Sequence, residues 1–140
     1  MYKKILLLFF CTLNLKLFGL KNHNHNKKIN YMVGIASYYG DPKIKDYPLM
    51  ANGKKFDPNN PKIAAHPSLK LGTKLKVLNL KNKKEICVII NDRMPKNHRI
   101  IDLSYAAAKK LKMLKKGLTK VKITVINNKE FYSRRCNETY

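Results

Sequence analysis

Acidic residues are scarce in this chain. There are eight among 140, against thirty lysines and arginines, for a formal net charge of +22. Arginine is scarce too: Arg93, Arg99, Arg134 and Arg135 are the only ones, so the surplus is lysine. A dedicated nucleic-acid reader relies on the planar, bidentate fork of arginine, and this composition argues against one. No histidines or cysteines have metal-ligand spacing. His23 and His25 alternate in an Asn/Lys-rich stretch that reads as a solvated spacer. The one long apolar run, Ile5 to Leu13, is broken by Asn14 and Lys16 and falls short of a membrane span. Repeats are absent, and the length suits one domain with a modest core.

What is present begins with a leader. Lys3 and Lys4 precede the apolar run, and Leu17-Phe18-Gly19 offers a cleavage site, so residues 1–20 read as a secretory signal. Cys11 raises lipidation as an alternative, although Phe10 stands where a lipidated leader has a small residue. Residues 21–31 read as a linker. Two readings of the lysines stay open: compositional drift that fills solvated positions, or attraction to a polyanion. Export would leave an envelope surface as the polyanion to meet. Cys87 sits in an apolar strand and reads as a core thiol. Cys136 lies in a polar segment, and in an oxidising compartment the two can pair.

The chain then alternates as short strands do. Residues 32–39 form a strand closed by Gly40-Asp41-Pro42. Residues 41–61 are loop, with Asn52-Gly53 as a tight turn. Strands follow at 62–66 and 73–80, then a turn at 81–84 and the most hydrophobic strand from Glu85 to Ile90. Asp102 or Ser104 caps a helix through Met113, with Leu103, Ala107, Leu111 and Leu114 on one face and Gly117 as its stop. A last strand spans 118–126, and 128–140 reads as a polar tail. About six strands and one helix over 32–127 predict a mainly β domain, a small closed or nearly closed barrel.

Two of the eight acids fall in one constellation: Ile89-Ile90-Asn91-Asp92-Arg93-Met94-Pro95, then Arg99-Ile100-Ile101-Asp102-Leu103-Ser104. A rare residue type at the mouth of a hydrophobic strand marks a candidate site. Together with Gly34-Ile35-Ala36-Ser37-Tyr38-Tyr39-Gly40, Ala51-Asn52-Gly53 and Ala64-Ala65-His66-Pro67-Ser68, these blocks resemble, in order, the signatures of the rare lipoprotein A (RlpA-like) family. The resemblance implies a six-stranded double-psi β-barrel. It implies an exported lytic transglycosylase; a monomer without cofactor or metal is expected. Such an enzyme cleaves peptidoglycan between N-acetylmuramic acid and N-acetylglucosamine without water, leaving a 1,6-anhydro end. It carries the catalytic aspartate over to Asp92 and the active-site histidine to His66. Tyr38, Tyr39, Asn52 and Arg93 are the candidates for holding substrate.

The chemistry fits one carboxyl. Hydrolysis of a glycoside ordinarily takes two. Attack by the sugar's own hydroxyl needs only a group that first protonates the leaving oxygen and then accepts the hydroxyl proton. An apolar strand end favours the protonated start by disfavouring charge. His66 is expected to bond Asp92 or a sugar hydroxyl, and Arg93 to turn toward substrate or Asp102. Asp102 itself reads as a helix cap or an arginine's partner. Three positions depart from the family pattern: Lys54 where many members have Glu, Met94 for Gly, and Met50 for Thr. These leave a second expectation beside the enzyme, a non-catalytic, expansin-like barrel that grips wall glycan.

Overall fold

The computed structural model describes residues 31–137. The expected signal, Cys11, His23, His25 and nearly all of the expected linker lie outside the described residues. Six strands carry the fold: β1 (Tyr31–Tyr39), β2 (Ile63–Ala65), β3 (Lys74–Asn79), β4 (Glu85–Asp92), β5 (Arg99–Ser104) and β6 (Thr119–Val125). They close into a barrel in the order β1-β5-β2-β4-β3-β6. The pairs β1/β5 and β2/β4 are parallel, and the other four are antiparallel.

The alternation in the sequence becomes the inside and outside of this barrel. Along β3, Leu75, Val77 and Asn79 are buried while Lys74, Lys76 and Leu78 are half-exposed. Along β6, Thr119, Val121 and Ile123 point in. Period-2 patterning of this kind fixes register, because a one-residue slip would turn every apolar side chain outward. The core joins Leu75, Val77, Ile86, Val88, Ile90, Ile101, Leu103, Val121 and Ile123 to Ala107, Ala108 and Leu111.

Helix α1 (Tyr105–Lys110) covers one side of this core. Ser104, not Asp102, caps it, accepting from the Ala107 amide. The helix ends earlier than Gly117. Met113 N–H bonds Ala108 C=O and Lys112 N–H bonds Lys109 C=O, with Lys112 at φ 52°. That is a Schellman closure with lysine in the position glycine usually holds. Gly117, at φ 71°, makes a later turn.

The expected polar tail is partly built. Helices α2 (Asn128–Phe131) and α3 (Arg134–Asn137) fold back on the barrel. Phe131 is buried against Ile126, Cys87 and Cys136, and Cys87 and Cys136 form a disulfide with their Cα atoms 5.5 Å apart.

Candidate active site

The site forms where β4, β2 and β1 end beside the 50–54 turn. Ala64 pairs with Ile90 and Ala65 with Asp92, so Asn91 is an extra residue in β4. A bulge of this kind bends a strand and re-aims the next side chain. Here it precedes the candidate acid directly. Asp92 Oδ1 accepts the Ala51 amide at 2.9 Å and the Arg93 amide at 2.8 Å. Oδ2 accepts the Tyr39 hydroxyl at 3.4 Å. Two backbone donors occupy Oδ1, so Oδ2 is the oxygen left for proton traffic.

Tyr39 is therefore more than an aromatic floor. One face of its ring stacks on Phe56, with centroids 4.5 Å apart. Burial, and then the charge of Asp92, push its hydroxyl far above the ordinary tyrosine range, so it stays a proton donor to Oδ2. Tyr38 points the other way, packs on the core and meets Tyr105 edge-on at 6.2 Å. A cleft of about 370 Å³ adjoins both tyrosines and is walled also by Tyr105, Asp41 and Lys43. A larger cleft, about 480 Å³, lies at the C-terminal helices and holds none of the site residues.

His66 is buried at 3% exposure directly after β2. Its amide donates to the Asp92 carbonyl at 3.2 Å. Ring Nδ1 accepts the Ser68 and Leu69 amides at 3.1 and 2.9 Å, which places the proton on Nε2. Burial, and then the neighbouring Arg93 charge, lower its pKa, so the ring is neutral. His66 is thus a fixed Nε2–H donor, not a base, and no bond joins its ring to the Asp92 carboxyl.

Arg93 departs from one of its two expected partners. Its guanidinium does not pair with Asp102. It clamps the 66–69 loop, donating to the carbonyls of His66 at 3.2 Å and Leu69 at 2.6 Å. The arginine partner of Asp102 is Arg99, at 3.1 Å. Arg99 also bonds Ser37 Oγ at 2.7 Å, and Ser37 in turn donates to Asp102. Asp92 and Asp102 both flank Ala65, one on each neighbouring strand. Two strand spacings separate them, about 9.5 Å between backbones. Asp102 is spent on its own ion pair.

Asn52 holds the turn. Its Oδ1 accepts the Lys54 amide at 3.1 Å and its amide donates to Asn91 C=O at 3.1 Å, leaving Nδ2 to offer a ligand. Of the departures from the family pattern, Met50 and Met94 are buried and Lys54 is exposed on the turn. Met50 packs with Phe56 and Ile63 beneath the loop. Sequence reasoning missed the Ser37–Arg99 support. The signal was there: Ser37 and Tyr39 are two apart on a strand and share a face.

A closed six-stranded barrel with two parallel and four antiparallel pairs in the order β1-β5-β2-β4-β3-β6 is a double-psi β-barrel. The family model described as lytic transglycolase matches residues 31–123, and the chain belongs to that family. Its relatives include proteins named endolytic peptidoglycan transglycosylase RlpA. That of Rickettsia felis is 39% identical over 82% of this chain and 51% of its own length. That of Pseudomonas aeruginosa is 41% identical over 74% and 30%. That of Campylobacter jejuni is 43% identical over 66% and 33%. The chain thus spans about half or less of these relatives. Among solved structures, the Streptomyces papain inhibitor superposes with a TM-score of 0.56 at 24% identity, covering 70% of this chain and 96% of that one. The Clavibacter michiganensis expansin gives 0.54 at 18% identity, covering 71% and 52%. Both share the fold.

Proposed function

We propose that this protein is an exported lytic transglycosylase that cuts peptidoglycan glycan strands between N-acetylmuramic acid and N-acetylglucosamine. It acts as a monomer at the cell envelope. The observation that carries the reading is Asp92: Oδ1 is fixed by two backbone amides, and Oδ2 is open to one hydroxyl partner.

In this reading Asp92 Oδ2 delivers a proton to the glycosidic oxygen as the bond to the muramic C1 breaks. The same oxygen then takes the proton from the C6 hydroxyl as that oxygen closes on C1. Proton gain and loss balance at one carboxyl, and no water or enzyme nucleophile is consumed. Tyr39 holds Oδ2 in position. His66 Nε2–H and Asn52 Nδ2 supply neutral donors to sugar oxygens. Arg93 keeps the His66 loop in shape. The Cys87–Cys136 bond supports export, because such bonds persist in oxidising compartments.

The test is mass spectrometry of isolated peptidoglycan digested with the protein. Anhydro-muropeptides are expected with the native chain and are lost with Asp92→Asn, at least 100-fold down in rate, within the usual worth of a general acid. Reducing ends instead would make the enzyme a hydrolase with Asp102 recruited as second carboxyl. Sedimentation with the wall and no cleavage would leave the expansin-like reading.

A further inference from the structure

The end of the barrel opposite Asp92 carries a second surface. β4 starts at a turn and ends at Asp92, eight residues on, so turn and carboxyl lie about 25 Å apart. The turn presents Lys81, Lys83 and Lys84, all exposed. The segment after α1 presents Lys112, Lys115 and Lys116, also exposed. Asn79 and Asn82 bind the two segments together: both side-chain amides donate to the Leu111 carbonyl, at 3.1 and 2.9 Å. The joining sets Lys81 and Lys116 on the same end of the barrel, and Lys116, by hydrogen bonding and then by its charge, lowers the Lys81 pKa. Like charges so placed repel unless an anion sits between them. Glu85 is the one acidic residue in these segments.

Two further observations give this pole a character beyond lysine abundance. Lys83 and Lys112 are the two non-glycine residues with positive φ among the described residues, at 62° and 52°. Both spots favour glycine or asparagine, so a cation is held there against backbone strain. Beside them, Leu118 is 48% exposed. The lysines line neither the tyrosine cleft nor the C-terminal cleft. An apolar side chain set among cations on a projecting end suits a flat, phosphate-bearing surface better than a thread-like polymer.

We propose that this lysine pole docks the protein on an anionic bilayer, with lipid phosphates between the lysines and Leu118 entering the headgroup layer. Docked so, the Asp92 end faces away from the bilayer. That orienting role rests on the proposed function, whereas the docking does not.

The experiment is co-sedimentation of the full chain with vesicles of phosphatidylglycerol mixed with phosphatidylcholine. The same leader is present in every variant, so differences report the pole. Lys81→Gln/Lys84→Gln/Lys116→Gln is expected to weaken binding about 100-fold, on the scale of one surface lysine each. Lys83→Gly/Lys112→Gly is expected to weaken it about 25-fold while raising the melting temperature, which separates docking from folding. Inorganic phosphate at millimolar level should compete poorly, because a single phosphate lacks the surface. Unchanged binding in both variants would overturn the proposal. Equal binding to pure phosphatidylcholine, or tighter binding to soluble polyglutamate or DNA than to vesicles, would do the same. Anhydro-muropeptide release by these variants is measured separately and is expected to persist. Its absence in the native chain would count against the function and leave the docking result standing.

Discussion

At the residue scale the site turns on which groups keep their protons. Tyr39 shows why sequence reading stops short. Its place next to Tyr38 suggested a sugar platform, but only the barrel brings its hydroxyl 53 residues along the chain to Asp92. Tyr39→Phe should lower kcat about tenfold, the small end of what a hydrogen bond to a charged group is worth, because this bond is long. KM and melting temperature should hold, since the ring keeps its stack on Phe56. An equal loss of stability would make Tyr39 a packing residue. His66 was legible as a site position and illegible as a tautomer. Its pKa is lowered in the fold. Between that value and the ordinary 6.5, the unfolded chain binds a proton that the native one does not, so stability rises with pH there. The His66 contribution is whole above pH 6.5 and is lost as pH falls through the native value. Urea midpoints from pH 7.5 to 5 should drop in the native protein and drop less in His66→Gln. Parallel curves would remove His66 as the source.

At the element scale, strands were legible because alternation is written locally. Five of the six strands fall close to the positions expected from it, while β5 was read only as a short apolar run leading into a helix cap. What could not be read was anything created by pairing: the extra residue Asn91 in β4, the choice of Arg99 for Asp102, and the clamp from Arg93. Helix α1 was placed well at its start, where Ser104 caps, and poorly at its end, where a lysine takes the left-handed position. Helices α2 and α3 were read as tail because four-residue turns carry little periodicity. Their hold on the barrel is Phe131 and the Cys87–Cys136 bond, which closes a loop across a sequence separation of 49. Loop closure of that length is worth up to about 4 kcal/mol in the chain-entropy account. Cys136→Ser should therefore cost roughly 3 kcal/mol of unfolding free energy by urea titration. Phe131 should become accessible, while the Asp92 end keeps its activity. No change in midpoint would mean that the helices add nothing to the barrel.

At the scale of the whole molecule the governing fact is charge. Thirty basic residues face eight acidic ones, so ion pairs such as Lys76–Glu130 and Arg99–Asp102 can neutralise only a small share of the cations. An excess of like charge of this size repels itself across a small barrel. Net charge of one sign destabilises a compact state by self-repulsion, and the unfolded chain relieves it by expanding. Salt screens exposed charges over a Debye length of about 8 Å at physiological strength. For a protein rich in surface ion pairs, screening costs stability; for this one it should add it. The melting temperature should climb by several degrees between about 0.01 and 0.15 M sodium chloride, as the screening length contracts from about 30 to 8 Å. Most of that gain should be reached within this range. The Lys81→Gln/Lys84→Gln/Lys116→Gln variant should start higher and climb less, because it has already lost three of the like charges. A melting temperature that falls with salt would mean that attraction, not repulsion, dominates the surface.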